Sequence, residues 1–173
     1  MDFEAALIVA VEHLMQIGHE RIGFFNSGKL RQNGYGPAAR AALGYERAGA
    51  LNPVELRYFE MEHTQEAVAA IQESGVTAII VGTQSGLSIP ELLRAIQWQG
   101  KRIPEDLSVV CLEDEALAEN MLRPLTSITF DINTAADWAA KTLINKLEGR
   151  QTDVEQVILP PKLIVRDSTM PQS

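Results

Sequence analysis

The sequence predicts an α/β protein built on a doubly wound parallel sheet with helices on both faces. Three observations lead there. Helical apolar periodicity alternates with short apolar runs along the 173 residues. The clearest runs, TAIIVG (77–82) and LSVVCL (107–112), are continuously apolar, as strands covered on both faces must be. Helix-like and strand-like patterns succeed one another, which is the rhythm of β-α units.

Each element has its own reason. Residues 3–16 place Ala6, Val9, Ala10, His13 and Leu14 at helical spacing, and Gly18 ends that helix. RIGFFN (21–26) is short, apolar and aromatic, and reads as a buried strand. Residues 27–36 are rich in Gly, Ser and Asn and read as a loop. The Ala-rich stretch 37–48 is helical, with Pro37 tolerated in its first turn. Asn52 and Pro53 break the chain before a strand at LRYFEM (56–61). Thr64 is placed to cap a helix running to Ser74, which Gly75 closes. Ser88 and Glu91, three apart around Pro90, form a capping-box pattern that starts a helix over 89–99. Residues 126–131 make a fifth strand, and 134–148 an amphipathic helix carrying Ala135, Trp138, Ala139, Thr142, Leu143 and Leu147 on one side. VILPPKLIVR (157–166) is extended and interrupted by two prolines.

Composition narrows the function. The net charge of −8 and the scattered basic residues disfavour nucleic-acid binding by this chain alone. One cysteine, Cys111, excludes a disulfide framework and a cysteine-based zinc site, and three dispersed histidines give no metal spacing. No metal and no cofactor is expected. No apolar run is long enough to span a bilayer, and the first residues lack a secretory leader's basic start, so a cytoplasmic protein is expected. There is no phosphate-binding glycine loop and no Gly-x-Ser-x-Gly elbow. GTQSG (82–86) puts Gln84 where that elbow needs its nucleophile. No catalytic residue is assigned, and the protein is not expected to be an enzyme.

In a parallel sheet, ligands bind beyond the carboxyl ends of the strands. Four segments qualify: Asn26 to Arg31, Glu60 to Thr64, Thr83 to Ser85, and Glu113 to Glu115.

Several segments, in order, resemble the lactose-repressor/galactose-repressor family of transcription regulators. AVEHLMQIGHERIGFF (10–25) is similar to its helix, Gly-His turn and strand. RQNGY (31–35), VTAIIVG (76–82), RIPEDLSVVCLED (102–114), PLTSI (124–128) and LIVRDST (163–169) are similar to later signature segments. The resemblance implies the effector-binding, periplasmic-binding-protein-like domain of such a regulator. Residues 1–127 would build its C-terminal lobe, 128–150 would cross to a partial N-terminal lobe, and 151–173 would return. It also implies that the DNA-binding helix-turn-helix is absent, so operator DNA would be reached only by a form carrying that region. An extracytoplasmic sugar-binding protein of the same fold, or a relic that no longer binds, are the alternatives.

The same resemblance assigns roles. Arg31 matches an effector-contacting arginine, whose fork can hold a carboxylate or two sugar hydroxyls; a loop salt bridge is the competing role. Glu113 stands where the family has a hydroxyl-accepting aspartate, and Asp114 where it has a second acidic residue. His63 falls where members often stack an aromatic on the effector, against the plainer reading of a surface histidine. Thr83 and Gln84 replace an Asn-Asp pair, which puts the ligand's identity in doubt. His13 and His19 match structural histidines. Cys111 replaces a glycine and reads as a buried, inert thiol. The family dimerises partly through the helix matching 89–99, so Ile89, Leu92, Leu93 and Ile96 are expected at a homodimer interface. The exposed stripe of 134–148 is expected to add to it.

Overall fold

The computed structural model describes residues 1–25, 36–59, 63–82, 88–112, 115–150 and 156–172. Six strands form one sheet: β1 (Arg21–Phe25), β2 (Glu55–Phe59), β3 (Ala78–Gly82), β4 (Ser108–Leu112), β5 (Thr126–Phe130) and β6 (Pro161–Ile164). Their order is β2-β1-β3-β4-β5-β6. The first five are parallel, and β6 alone runs antiparallel, against β5. The helices are α1 (Phe3–Gln16), α2 (Pro37–Leu51), α3 (Thr64–Ser74), α4 (Ile89–Trp98), α5 (Glu115–Asn120) and α6 (Ile132–Leu147).

Two apolar layers sandwich the sheet. Phe25, Ile79, Val81, Val109 and Cys111 face α3, α4 and α5. Ile22, Phe24, Ala78, Ile80, Val110 and Leu112 face α1 and α2. Every residue of β3, β4 and β5 is buried, which is why their sequences show no alternation. The α1 and α2 backbones approach so closely that a Cβ on Gly44 would lie 2.8 Å from the Glu4 Cα and carbonyl carbon, and only glycine fits. Glu4 then pairs with Arg47 at the same crossing.

Local chemistry sets the boundaries. The Asp2 carboxylate accepts from the Ala5 amide at 3.0 Å and starts α1. Gly75, at φ 64°, ends α3 in the left-handed region. Three expectations are corrected. Ser88 occupies the N-cap position of α4, but its side chain makes no cap hydrogen bond, so Pro90 in the first turn is the operative start signal. Thr64 is the first residue of α3 rather than its cap; His63 holds that position, also without a side-chain bond. The short helix α5 was not expected at all.

The chain leaves the sheet later than residue 128. Thr126 to Ile128 pair with β4, and Ser127 to Phe130 with β6, so the departure falls after Phe130. From there α6 projects with no buried residue.

The sheet's amino-terminal edge is closed by a strap, residues 166–172. Ser168 Oγ accepts from the Thr126 amide at 2.8 Å and donates to the Val109 carbonyl at 2.5 Å. The Val109 amide donates to the Ser168 carbonyl at 2.8 Å, and the Gln172 amide to the Ile17 carbonyl at 2.8 Å. His13 Nε2 lies 3.3 Å from Thr169 Oγ1. His19 bridges Thr77 Oγ1 at 2.9 Å and Ser108 Oγ at 3.0 Å. Burial lowers the pKa of both histidines, so each is held neutral. Their expected structural role stands.

Candidate functional site

The site is defined by how the strands end. Phe25 pairs with Phe59 on one side and with Val81 on the other, and Gly82 pairs with Leu112. The carboxyl ends of β2, β1, β3 and β4 are therefore flush. At about 4.8 Å per strand they span about 15 Å, the width of a small sugar with its contacts. The segments beginning at residues 26, 60, 83 and 113 all leave the sheet along this one edge.

The order 2-1-3-4-5 places a switch between β1 and β3. After β1 the chain enters α2, on the face shared with α1. After β3 it enters α4, on the opposite face. Neighbouring strands thus send their connections to opposite faces of the sheet, the arrangement at which open α/β sheets bind ligands. The segments carrying Arg31 on one side and Thr83 and Gln84 on the other begin at this switch.

Of the predicted effector residues, His63 is described. It is exposed at the N-cap of α3, with its carbonyl accepting from the Ala67 amide at 3.1 Å. Arg31, Thr83, Gln84 and Glu113 lie outside the described residues, as does Asp114. Gly82 closes β3 where a Cβ would come within 3.3 Å of the Leu112 Cβ, so the strand end leading into Thr83 is packed tightly against its neighbour.

The predicted interface residues are corrected. Ile89, Leu92, Leu93 and Ile96 are all buried in the chain's own core, none more than 5% exposed. One face of α4 accommodates all four against the sheet. The outer side of that helix carries Arg94 over the Trp98 ring at 5.6 Å, and Trp98 is 80% exposed. The sequence signal for Trp98 is its position at the end of α4, past the last buried residue, Ile96. A groove of about 460 Å³ runs between α3 and α4, lined by Thr64, Val68, Gln72, Arg94 and Trp98. It lies between these two helices, on one face of the sheet.

Among the described residues no group of His, Cys, Asp and Glu could hold a metal ion, and no helix is long and apolar enough to cross a membrane. Cys111 is a buried free thiol.

The flush edge, the switch and the two-faced sheet define an open, doubly wound α/β domain, and this chain belongs to the periplasmic binding protein-like domain family, which matches residues 11–169. Its relatives are transcription regulators. It is 29% identical over 174 residues to an uncharacterised HTH-type transcriptional regulator of Streptomyces limosus, covering 97% of this chain and 49% of that protein. It is 30% identical over 184 residues to the arabinose metabolism transcriptional repressor of Geobacillus stearothermophilus, covering 98% and 48%. Its fold matches a LacI-family transcriptional regulator of Enterococcus faecium with bound ribose, with TM-score 0.83 and 21% identity, covering 99% of this chain and 65% of that one. The chain spans about half the length of the curated relatives it matches. The resemblance read from the sequence therefore holds for family and fold.

Proposed function

We propose that this chain is the ligand-sensing part of a bacterial transcription regulator. It binds a small sugar or nucleoside-like effector at the carboxyl ends of β1, β2, β3 and β4. The observation that carries this reading is the flush strand edge with its switch between β1 and β3, in a chain whose family match covers residues 11–169. Two ribose operon repressors and a cellobiose complex of a CelR regulator stand among its relatives and neighbours, which supports a sugar. Arg31 holds paired hydroxyls or a carboxylate, Glu113 accepts hydroxyl hydrogen bonds, and His63, Thr83 and Gln84 complete the rim. The chemistry is recognition rather than turnover, and the setting is the cytoplasm.

Residues 1–130 belong to the C-terminal lobe, which β6 and the strap rejoin, and α6 leads towards an N-terminal lobe. Operator DNA is engaged by a longer polypeptide carrying a helix-turn-helix. The homodimer contact at α4 uses its outer side, Arg94 and Trp98, since the inner side is spent on the core.

Thermal melting against ribose, arabinose, cellobiose and adenosine tests the sensing reading. We expect one of them to raise the melting temperature, and Arg31→Ala or Glu113→Ala to abolish that rise while leaving the unliganded melt in place. No shift with any of the four, at millimolar concentration, would overturn it.

A further inference from the structure

The strap is fastened at two points, and each carries a buried histidine. At the first point the Thr77 hydroxyl gives its proton to the Arg21 carbonyl at 3.3 Å, so it accepts from His19 Nδ1. That leaves His19 Nε2 to accept from the Ser108 hydroxyl at 3.0 Å, while Ser108 Oγ accepts from the Met170 amide at 3.2 Å. At the second point a hydroxyl chain runs from His13 Nε2 to Thr169 Oγ1 at 3.3 Å and on to Thr126 Oγ1 at 2.9 Å. It ends on the strap backbone at Arg166, whose amide donates to Thr126 Oγ1 at 3.0 Å.

A charged imidazole donates at both nitrogens. Were His19 charged under the closed strap, the Ser108 proton would have to turn to the Met170 carbonyl at 3.5 Å. Were His13 charged, the Thr169 and Thr126 hydroxyls would have to point away from it, the last of them reaching only the Arg166 carbonyl at 3.4 Å. Both bonds stand at the long limit of a hydrogen bond, and both end on the strap. Burial outweighs the Met170 carbonyl and the Gln172 side chain, which favour a charged His19, and a charged His13 opposes it further. Among the described residues no carboxylate compensates either ring. Lys101, Glu105 and Asp106 line the same recess as His19, but Lys101 is a cation, Asp106 is engaged by Arg102 at 2.8 Å, and Glu105 faces Arg123 at 3.6 Å. Glu12 and Glu20, each next in sequence to a histidine, are exposed, as is Asp167 in the strap. The Arg166 guanidinium is directed to the Leu125 carbonyl and Ser127 Oγ.

We infer that His13 and His19 make a two-proton latch: residues 166–172 stay closed over both rings only while both are uncharged, and come away as one unit as both take up a proton. The opening is local. The strap's bonds go to the first residues of β4 and β5 and to Ile17, and the register of β1, β3 and β4 does not depend on them. An open strap returns each ring to an ordinary pKa of about 6.5, above its closed value, so acid favours opening. The latch sits at the amino-terminal edge of the sheet, opposite the effector edge, and the inference does not rest on the effector reading.

Amide hydrogen exchange on the whole chain, corrected for the intrinsic pH dependence of each amide, reads the latch. The Val109, Thr126 and Gln172 amides, whose bonds the strap makes, should share one opening constant, larger than that of Ile80 in β3. Between pH 7.5 and 5.5, one group with an open pKa of about 6.5 raises that constant by at most about tenfold, and two by at most about a hundredfold. We expect a rise well above tenfold in the unaltered protein, and about tenfold or less in His13→Gln and in His19→Gln. A rise of tenfold or less in the unaltered protein overturns the inference. So do strap amides protected as well as Ile80, or a single variant that keeps the full rise. If either variant loosens the strap outright, ring-proton magnetic resonance on the unaltered protein decides instead. His13 and His19 should then titrate together, with one shared midpoint below 6.5, as a single opening event requires. Two separate midpoints overturn the latch.

Discussion

β5 and α6 are consecutive in the chain and meet opposite surroundings. All five residues of β5 are buried, and none of the sixteen of α6 is. Yet α6 is the richer in large aliphatic side chains, with Ile132, Leu143, Ile144 and Leu147 against Ile128 in β5. Hydrophobicity alone therefore does not decide burial. Position in a layered sheet does: β5 has β4 on one side, β6 on the other, and the strap's Ser168 holding its first amide. α6 touches the body along one edge only. The lesson is that an apolar residue stabilises this chain only where a second layer exists to receive it.

The sharpest test of that contrast removes the same side chain from the layered core and from α6. Leu7 is fully buried between α1, α2 and the sheet, and Leu147 is 79% exposed. Leu7→Ala should cost about 2–5 kcal/mol in urea unfolding. Leu147→Ala, measured at low protein concentration, should change stability by less than about 0.5 kcal/mol. Equal losses would mean that α6 is as deeply built into the monomer as the layer between α1 and the sheet.

A smaller effect probes the strap that gives β5 its advantage. Ser168→Ala leaves the Thr126 amide and the Val109 carbonyl without their shared hydroxyl partner. It should cost about 1–3 kcal/mol by the same unfolding measurement. It should also speed amide exchange at Thr126 while leaving amides within α6 unchanged. A neutral variant would show that backbone bonds hold the strap unaided.

The smallest effect is the pH response. His13 and His19 have folded pKa values below the ordinary 6.5, mainly through burial. The unfolded chain therefore binds more protons once the pH falls below about 6.5, so acid favours unfolding. Stability should be full above pH 7 and decline as pH falls from 6.5 towards the lower folded pKa values. The strap amides should lose exchange protection before the centre of the sheet does. A His19→Gln variant should flatten this slope in melts taken between pH 7.5 and 5; an unchanged slope would place the titration elsewhere.

Most of the fold was legible because the core strands carry their own signature. TAIIVG and LSVVCL can only be two-sided strands, and they are β3 and β4. The helices around them follow from spacing and breakers: α1 ends just before Gly18, and α2 runs three residues past the expected 48 because nothing stops it before Asn52 and Pro53. What was not legible depends on tertiary partners. EALAEN is too short to show a helical period, so α5 was missed. Strand direction is not encoded in VILPPKLIVR, so the antiparallel pairing of β6 could not be read. Ser88 and Glu91 had capping-box spacing, but side-chain direction decides whether such a box closes, and here it does not. Ile89, Leu92, Leu93 and Ile96 looked like a surplus for one face because the breadth of the receiving sheet cannot be seen from the helix. For the site, sequence placed the four segments along one edge of the sheet, and the register supports that edge. The side-chain geometry of Arg31, Thr83, Gln84 and Glu113 lies outside the described residues.

The strap has a consequence for the order in which the molecule can be made. Ser168 joins β4 to β5, and Gln172 reaches back to Ile17 at the end of the first helix. A ribosome delivers these residues after every strand they tie together. The sheet must therefore wait, with its amino-terminal edge unsealed, until synthesis has passed the last of its own elements. Closure of the lobe waits for the strap to emerge, and a nascent chain stalled before Ser168 would display the strands without the clasp that fastens them.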